Sequence, residues 1–178
     1  MKFDKSKKLL VIGRAGMDIY PEPPGTKISD VQEFSTHLGG SAANTCVALS
    51  KLGVSSDLVT CISDDAIGEY IFKKLEDFNV GSNLCRRVDK KFQTQVAVVE
   101  TILKNNQSIL YRNNSCDLQL DKEDIDKINF QDYSAVFISG TALSSSPSRE
   151  AVFYAAEKAS LLSIPLIMDM DYRAYNWE

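Results

Sequence analysis

Three short segments carry side chains whose types and spacing suit a small polar ligand. In the first, Gly13-Arg-Ala-Gly-Met-Asp18, a carboxylate follows an apolar run. Asp18 can accept hydrogen bonds from ligand hydroxyls there, or it can merely turn the chain by bonding its own backbone. In the second, Gly39-Gly-Ser-Ala-Ala-Asn44-Thr, the glycines let backbone approach a ligand closely, and Asn44 can offer a polyol both a donor and an acceptor. Tight helix packing is the other use of Gly39 and Gly40. The third is Tyr111-Arg112 together with Asp169-Met-Asp-Tyr-Arg173, since a guanidinium takes carboxylate or oxo-acid groups in a two-pronged way. An internal ion pair of Arg173 with Asp169 or Asp171 is the competing use.

All three lie where a strand ends or a helix begins, which is where open α/β sheets hold ligands. Residues 8–13 read as an inner strand ending in glycine, and Pro21-Glu-Pro-Pro-Gly25 as a connection that excludes helix and inner strand. Ala42, Cys46, Leu49 and Leu52 keep helical spacing up to a stop at Gly53. Residues 58–62 predict a strand, followed by a helix that Asp64 or Asp65 caps and whose apolar face is Ile67, Ile71, Leu75 and Phe78. From 83 to 113 the helical period vanishes. Runs at 94–103 and 108–111, joined by Lys104-Asn-Asn-Gln107, predict a separate small antiparallel sheet that 31–37 can join. The α/β rhythm then resumes with a short helix over 121–128, a strand over 135–139, a helix over 147–162 capped by Ser146, and a strand over 165–170. The alternation argues for a parallel, doubly wound sheet.

Composition narrows the functional classes. The chain has 178 residues, 44% hydrophobic and 25% charged, as one globular domain would. Twenty basic against 24 acidic residues leave a net charge of −4 and no field to gather nucleic acid. No apolar run approaches the roughly 18 residues of a membrane span. Lys2, Lys5, Lys7 and Lys8 imitate the start of a signal peptide, but the apolar stretch stops at Gly13 and no cleavage site follows, so an untargeted, cytoplasmic chain is expected. Cys46, Cys61, Cys85 and Cys116 form no Cys-x-x-Cys pair and His37 stands alone, which predicts reduced thiols and no metal site. Gly13 and Gly16 do not make the Gly-x-Gly-x-x-Gly fingerprint that must run straight into a helix, so a dinucleotide-binding oxidoreductase is disfavoured.

The block from Gly39-Gly40 through Asn44 and Gly53 to Asp64-Asp65-Ala-Ile-Gly68 resembles the first signature of the PfkB/ribokinase family of carbohydrate kinases, and the resemblance runs from Leu10 to the end of the chain. It implies a Rossmann-like ribokinase fold, a parallel sheet flanked by helices, with a small β-sheet lid whose segments fall around 14–38 and 83–113. It also implies that Asp18, Gly39, Gly40 and Asn44 lie in the sugar site. Within the family, residues 13–20 and 169–173 look most like the kinases of 5-dehydro-2-deoxygluconate in inositol catabolism. The related 2-keto-3-deoxygluconate kinases share Tyr-Arg in the lid and Asp-x-Asn-x-Arg, which makes Tyr111, Arg112 and Arg173 the implied substrate and phosphate-side contacts. Asp171 stands where that relative commonly has Asn, which favours the inositol-pathway substrate.

Kinases of this family use ATP and Mg²⁺, with an Asp base and an anion hole in a Gly-Ala-Gly-Asp type motif of the C-terminal half. No Gly-Asp dipeptide occurs in these 178 residues. The expectation is therefore a C-terminally truncated, sugar-holding portion with no catalytic residue of its own, and with a sheet edge or lid through which the chain self-associates. A non-catalytic sugar-binding or interaction module is the alternative.

Overall fold

The computed structural model describes Asp4, Ser6 to Tyr172, Ala174 and Trp177. The apolar run becomes β1 (Lys8–Ile12), the centre of a five-stranded sheet. Its side chains alternate between two cores, because successive residues of a strand point to opposite faces. Leu10 and Ile12 join one core and Val11 the other, all fully buried.

After β1 the chain leaves this sheet for a second one, through β2 (Gly16–Glu22) and β3 (Glu33–Gly39). It returns as α1 (Ser41–Lys51), β4 (Ser56–Ser63), α2 (Ala66–Asp77) and β5 (Cys85–Val88). Two more strands, β6 (Val96–Val99) and β7 (Ser108–Tyr111), complete the second sheet. A capping box at Asp121 then starts α3 (Lys122–Asp126), and β8 (Tyr133–Ser139), α4 (Ser148–Leu161) and β9 (Leu166–Asp169) finish the first sheet.

The large sheet is parallel throughout, in the order β5-β4-β1-β8-β9. The core around α1 and α2 contains Ala42, Cys46, Ile71 and Leu75, and the opposite core around α3 and α4 contains Ile125, Ala151 and Ala155. This is the doubly wound arrangement that the alternation predicts. The chain order reverses between β1 and β8, so the crevice beyond their C-terminal ends is where such sheets bind ligands.

The structure corrects four details. The small sheet, ordered β3-β2-β6-β7, is mixed, since β2 pairs β3 antiparallel but β6 parallel. Segment 83–113 is divided, with Cys85–Val88 extending the large sheet against β4. Pro21 belongs to β2, opposite Phe34; β6 pairs β2 only from Met17 to Ile19, so the missing proline N–H interrupts no ladder on that side. Ser146 does not cap α4. Its hydroxyl donates to Glu150 at 2.7 Å, while Pro147 occupies the N-cap position.

Gly13 closes the junction of β1, α1 and β8. A Cβ there would lie 2.8 Å from the Ala42 Cβ and 2.9 Å from the Ser139 Cβ. We expect Gly13→Ala to force these elements apart at a cost of about 1–3 kcal/mol, read as a lowered denaturant midpoint with an unchanged slope.

Candidate functional site

A cavity of about 920 Å³ opens between the C-terminal ends of β1 and β8, the first turn of α1 and the inner side of the small sheet. Arg14 and Asp18 reach it from the segment after β1, Gly40, Ser41 and Asn44 from the start of α1, and Arg112 from the end of β7. Asp171, following β9, lines it as well.

The glycines act by yielding space. Gly40 has φ +93°, and a Cβ on it would collide with the Arg14 carbonyl, the same oxygen that accepts the Ala43 N–H at 3.2 Å. Only glycine admits this approach at that backbone geometry. Gly39 pairs with Gly16 across β2 and β3, and a side chain on it would strike the Asp18 carboxylate. Gly39 is thus absent from the cavity lining and works by making room for Asp18.

Burial pushes the Asp18 carboxyl above the ordinary Asp range, while Arg14, Tyr20 and His37 beside it pull the other way. A partly desolvated carboxylate of this kind is a strong acceptor for ligand hydroxyls. Arg112 is held at one corner: Nη2 donates to Asp117 at 2.7 Å, and both side chains are nearly buried, 8% and 3% exposed. Ser115 in turn donates to Asp117. The Arg112 Nε is buried and has no hydrogen-bond partner among the described residues, so the fork retains donor capacity for an anion.

A hydroxyl chain behind the lining links Ser41 to Asp171. Ser41 Oγ lies 2.8 Å from Ser139 Oγ, which lies 3.0 Å from Thr141 Oγ1 and donates to Asp171 Oδ2 at 3.4 Å. Cysteine chemistry has no place in the cavity, because the thiols lie outside its lining. Burial also pushes the Cys46 thiol up to about 11 and the Cys116 thiol up to about 12. Among the described residues, no group of three His, Cys, Asp or Glu side chains is placed to hold a metal, and no helix is long and apolar enough to cross a membrane.

Of the residues singled out in the sequence, Asp18, Gly40, Asn44 and Arg112 converge on the cavity. Tyr111 does not; it is 61% exposed and outside the lining, because alternation along β7 turns it away. Arg173 lies outside the described residues. Sequence reasoning missed Arg14, although a charged residue directly after a buried strand was a usable signal. It also missed Gln95 and Ser144, which sit in stretches read only for secondary structure.

Residues 6–178 match the model of the pfkB family of carbohydrate kinases. A 5-dehydro-2-deoxygluconokinase of Photobacterium profundum is 35% identical over 174 residues, covering 98% of this chain and 53% of its own length. An uncharacterized sugar kinase of Pyrococcus horikoshii, solved in complex with ATP, superposes with a TM-score of 0.81 at 27% identity, covering 95% of this chain and 55% of that one. The fold is shared with a 2-dehydro-3-deoxygluconokinase of Thermotoga maritima, at TM-score 0.85 and 21% identity, covering 96% of this chain and 53% of that one. The chain spans about half the length of the curated relatives it matches. With the doubly wound sheet, the small second sheet and the cavity between them, these matches make the chain a member of the pfkB family of carbohydrate kinases.

Proposed function

We propose that these residues form the sugar-holding part of an ATP-dependent kinase acting on a keto-deoxy sugar acid, with 5-dehydro-2-deoxygluconate as the substrate. The observation that carries this reading is the meeting of hydroxyl acceptors and a guanidinium in one cavity. Asp18, Asn44 and Arg112 all line it. A sugar acid offers hydroxyls along its chain for Asp18 and Asn44, and a carboxylate for the arginine fork. The name of the Photobacterium profundum relative supports the choice of acid. Gly39, Gly40 and Arg173 are proposed as further contributors to the site, the glycines through the close approach they permit.

The roles of ATP and Mg²⁺ are part of the same proposal. The 178 residues contain no Gly-Asp dipeptide, the core of the anion-hole motif that the family resemblance implies. We therefore assign the contacts to both, and the base, to sequence outside this chain. What this chain contributes is orientation: it fixes the acid between two sheets so that a hydroxyl can face a donor bound elsewhere.

Calorimetric titration of the chain with 5-dehydro-2-deoxygluconate checks the reading. Binding that ATP and Mg²⁺ leave unchanged, with no ADP released in a coupled assay, is the expected outcome; absence of sugar-acid binding contradicts it. Asp18→Asn should weaken that binding at least tenfold. Because burial raises the Asp18 carboxyl, ionisation at neutral pH costs the folded state stability. The same substitution should therefore leave the thermal midpoint at pH 7 unchanged or raised. A lowered midpoint would show that Asp18 serves the fold instead.

A further inference from the structure

Ser139 ends β8 with its side chain fully buried, and its hydroxyl meets polar groups from three other places in the chain. Ser41 Oγ, at the start of α1, lies 2.8 Å away, Thr141 Oγ1 lies 3.0 Å away, and Asp171 Oδ2 lies 3.4 Å away. Two glycines permit this meeting. A Cβ on Gly13 would lie 2.9 Å from the Ser139 Cβ, and a Cβ on Gly140 would collide with the carbonyl of Met170, the residue before Asp171. Ser41 and Asp171 line the cavity, whereas Ser139 and Thr141 are fully buried behind the lining.

The protons available fix the direction of each bond in this cluster. A carboxylate only accepts, so the contact with Asp171 carries the Ser139 proton. Ser139 Oγ then has two lone pairs and no proton for its other contacts, and these are filled by the protons of Ser41 and Thr141. No other assignment gives each contact a proton. The Ser41 proton is thereby committed to Ser139, and what Ser41 Oγ retains for the cavity is lone pairs. The negative charge at the end of the chain reinforces that polarity. Many buried hydroxyl clusters only satisfy one another. Here both ends of the chain line the cavity, so the bond direction reaches a ligand.

We propose that Ser139 is a positioning residue that makes Ser41 a one-way acceptor toward the ligand, so that Ser41 pairs a substrate hydroxyl and rejects a ketone in the same place. The inference rests on the sugar-acid reading above and adds a source of selectivity to it. A serine hydroxyl left to rotate serves a donor or an acceptor equally. Held by Ser139, it meets a ketone oxygen lone pair to lone pair, whereas a hydroxyl donates to it. 5-Dehydro-2-deoxygluconate and 2-keto-3-deoxygluconate carry ketone and hydroxyls on different carbons. An acceptor at a fixed position therefore distinguishes them.

The test is calorimetry with both acids on the wild-type chain, Ser139→Ala, Ser41→Ala and the double variant, each first shown to be folded by a cooperative thermal transition. Ser139→Ala frees the Ser41 proton, and the ratio of the two affinities is expected to narrow by about fivefold. In the Ser41→Ala background the same substitution should leave the ratio unchanged, because it acts through Ser41; a purely structural loss weakens both acids alike in either background. Ser139→Cys, a weaker donor and acceptor in the same place, serves if the alanine variant does not fold. A ratio unaltered by the Ser139 substitution, equal binding of the two acids by the wild type, or the same change in ratio with and without the Ser41 hydroxyl overturns the role of Ser139 and leaves the sugar-acid reading standing. No binding of either acid by the wild type overturns both.

Discussion

The end of β1 and the first turn of α1 meet without space for one more carbon atom, and the rest of the site hangs from that contact. At Gly13 the obstructing atoms would be the β-carbons of Ala42 and Ser139; at Gly40 they would be the backbone of Arg14. The approach lets the Arg14 carbonyl accept the Ala43 N–H, so the strand exit and the helix entry become one rigid corner. Arg14 and Asp18 leave that corner on one side, Ser41 and Asn44 on the other, and the small sheet grows out of it through β2 and β3. Two sheets from distant stretches of chain are thereby held at a fixed spacing, with the cavity as the gap between them.

Within that gap the polar groups are held in states that folding alone would not favour. Asp18 is partly stripped of water, the Gln95 Oε1 lacks a donor, and the Arg112 Nε lacks an acceptor among the described residues. Away from the cavity, two buried carboxylates are well served. Asp57 accepts from Tyr133 at 2.8 Å and from Lys8 at 3.0 Å, and Asp124 accepts from Arg86 at 2.7 Å. The Asp57 and Asp124 networks are satisfied internally, whereas Asp18 and Arg112 at the cavity keep bonding capacity.

Much of the architecture was legible because it is encoded locally. The 3.6-residue spacing of Ile67, Ile71 and Leu75 and the cap at Asp65, whose carboxylate accepts the Gly68 N–H at 2.9 Å, fix α2 without help from distant residues. What escaped depends on long-range pairing. Cys85-Arg-Arg-Val88 has no strand-like alternation of its own; it is an edge strand shaped by β4, with Arg87 stacked 4.3 Å over the Phe72 ring and paired with Glu69 at 2.8 Å. The parallel match of β2 with β6 joins residues almost 80 positions apart in the chain, which no short window reports. The same distinction governs the site. Asp18 on the one hand and Gly40 with Asn44 on the other sit in two short, recognisable segments. The outward turn of Tyr111 and the inward position of Gln95 follow from register between strands, which composition does not reveal.

On the proposed reading, the corner between β1 and α1, together with the inner side of the small sheet, forms a receptor for a sugar acid. Amide chemical-shift mapping of the isotopically labelled chain during addition of 5-dehydro-2-deoxygluconate tests it most directly. Saturable shifts are expected at Gly16, Gly40, Asn44, Gln95 and Arg112, with the exposed edge strand Leu166–Asp169 unaffected. Saturable shifts confined to surfaces away from the cavity, or no shifts at millimolar ligand, would contradict it.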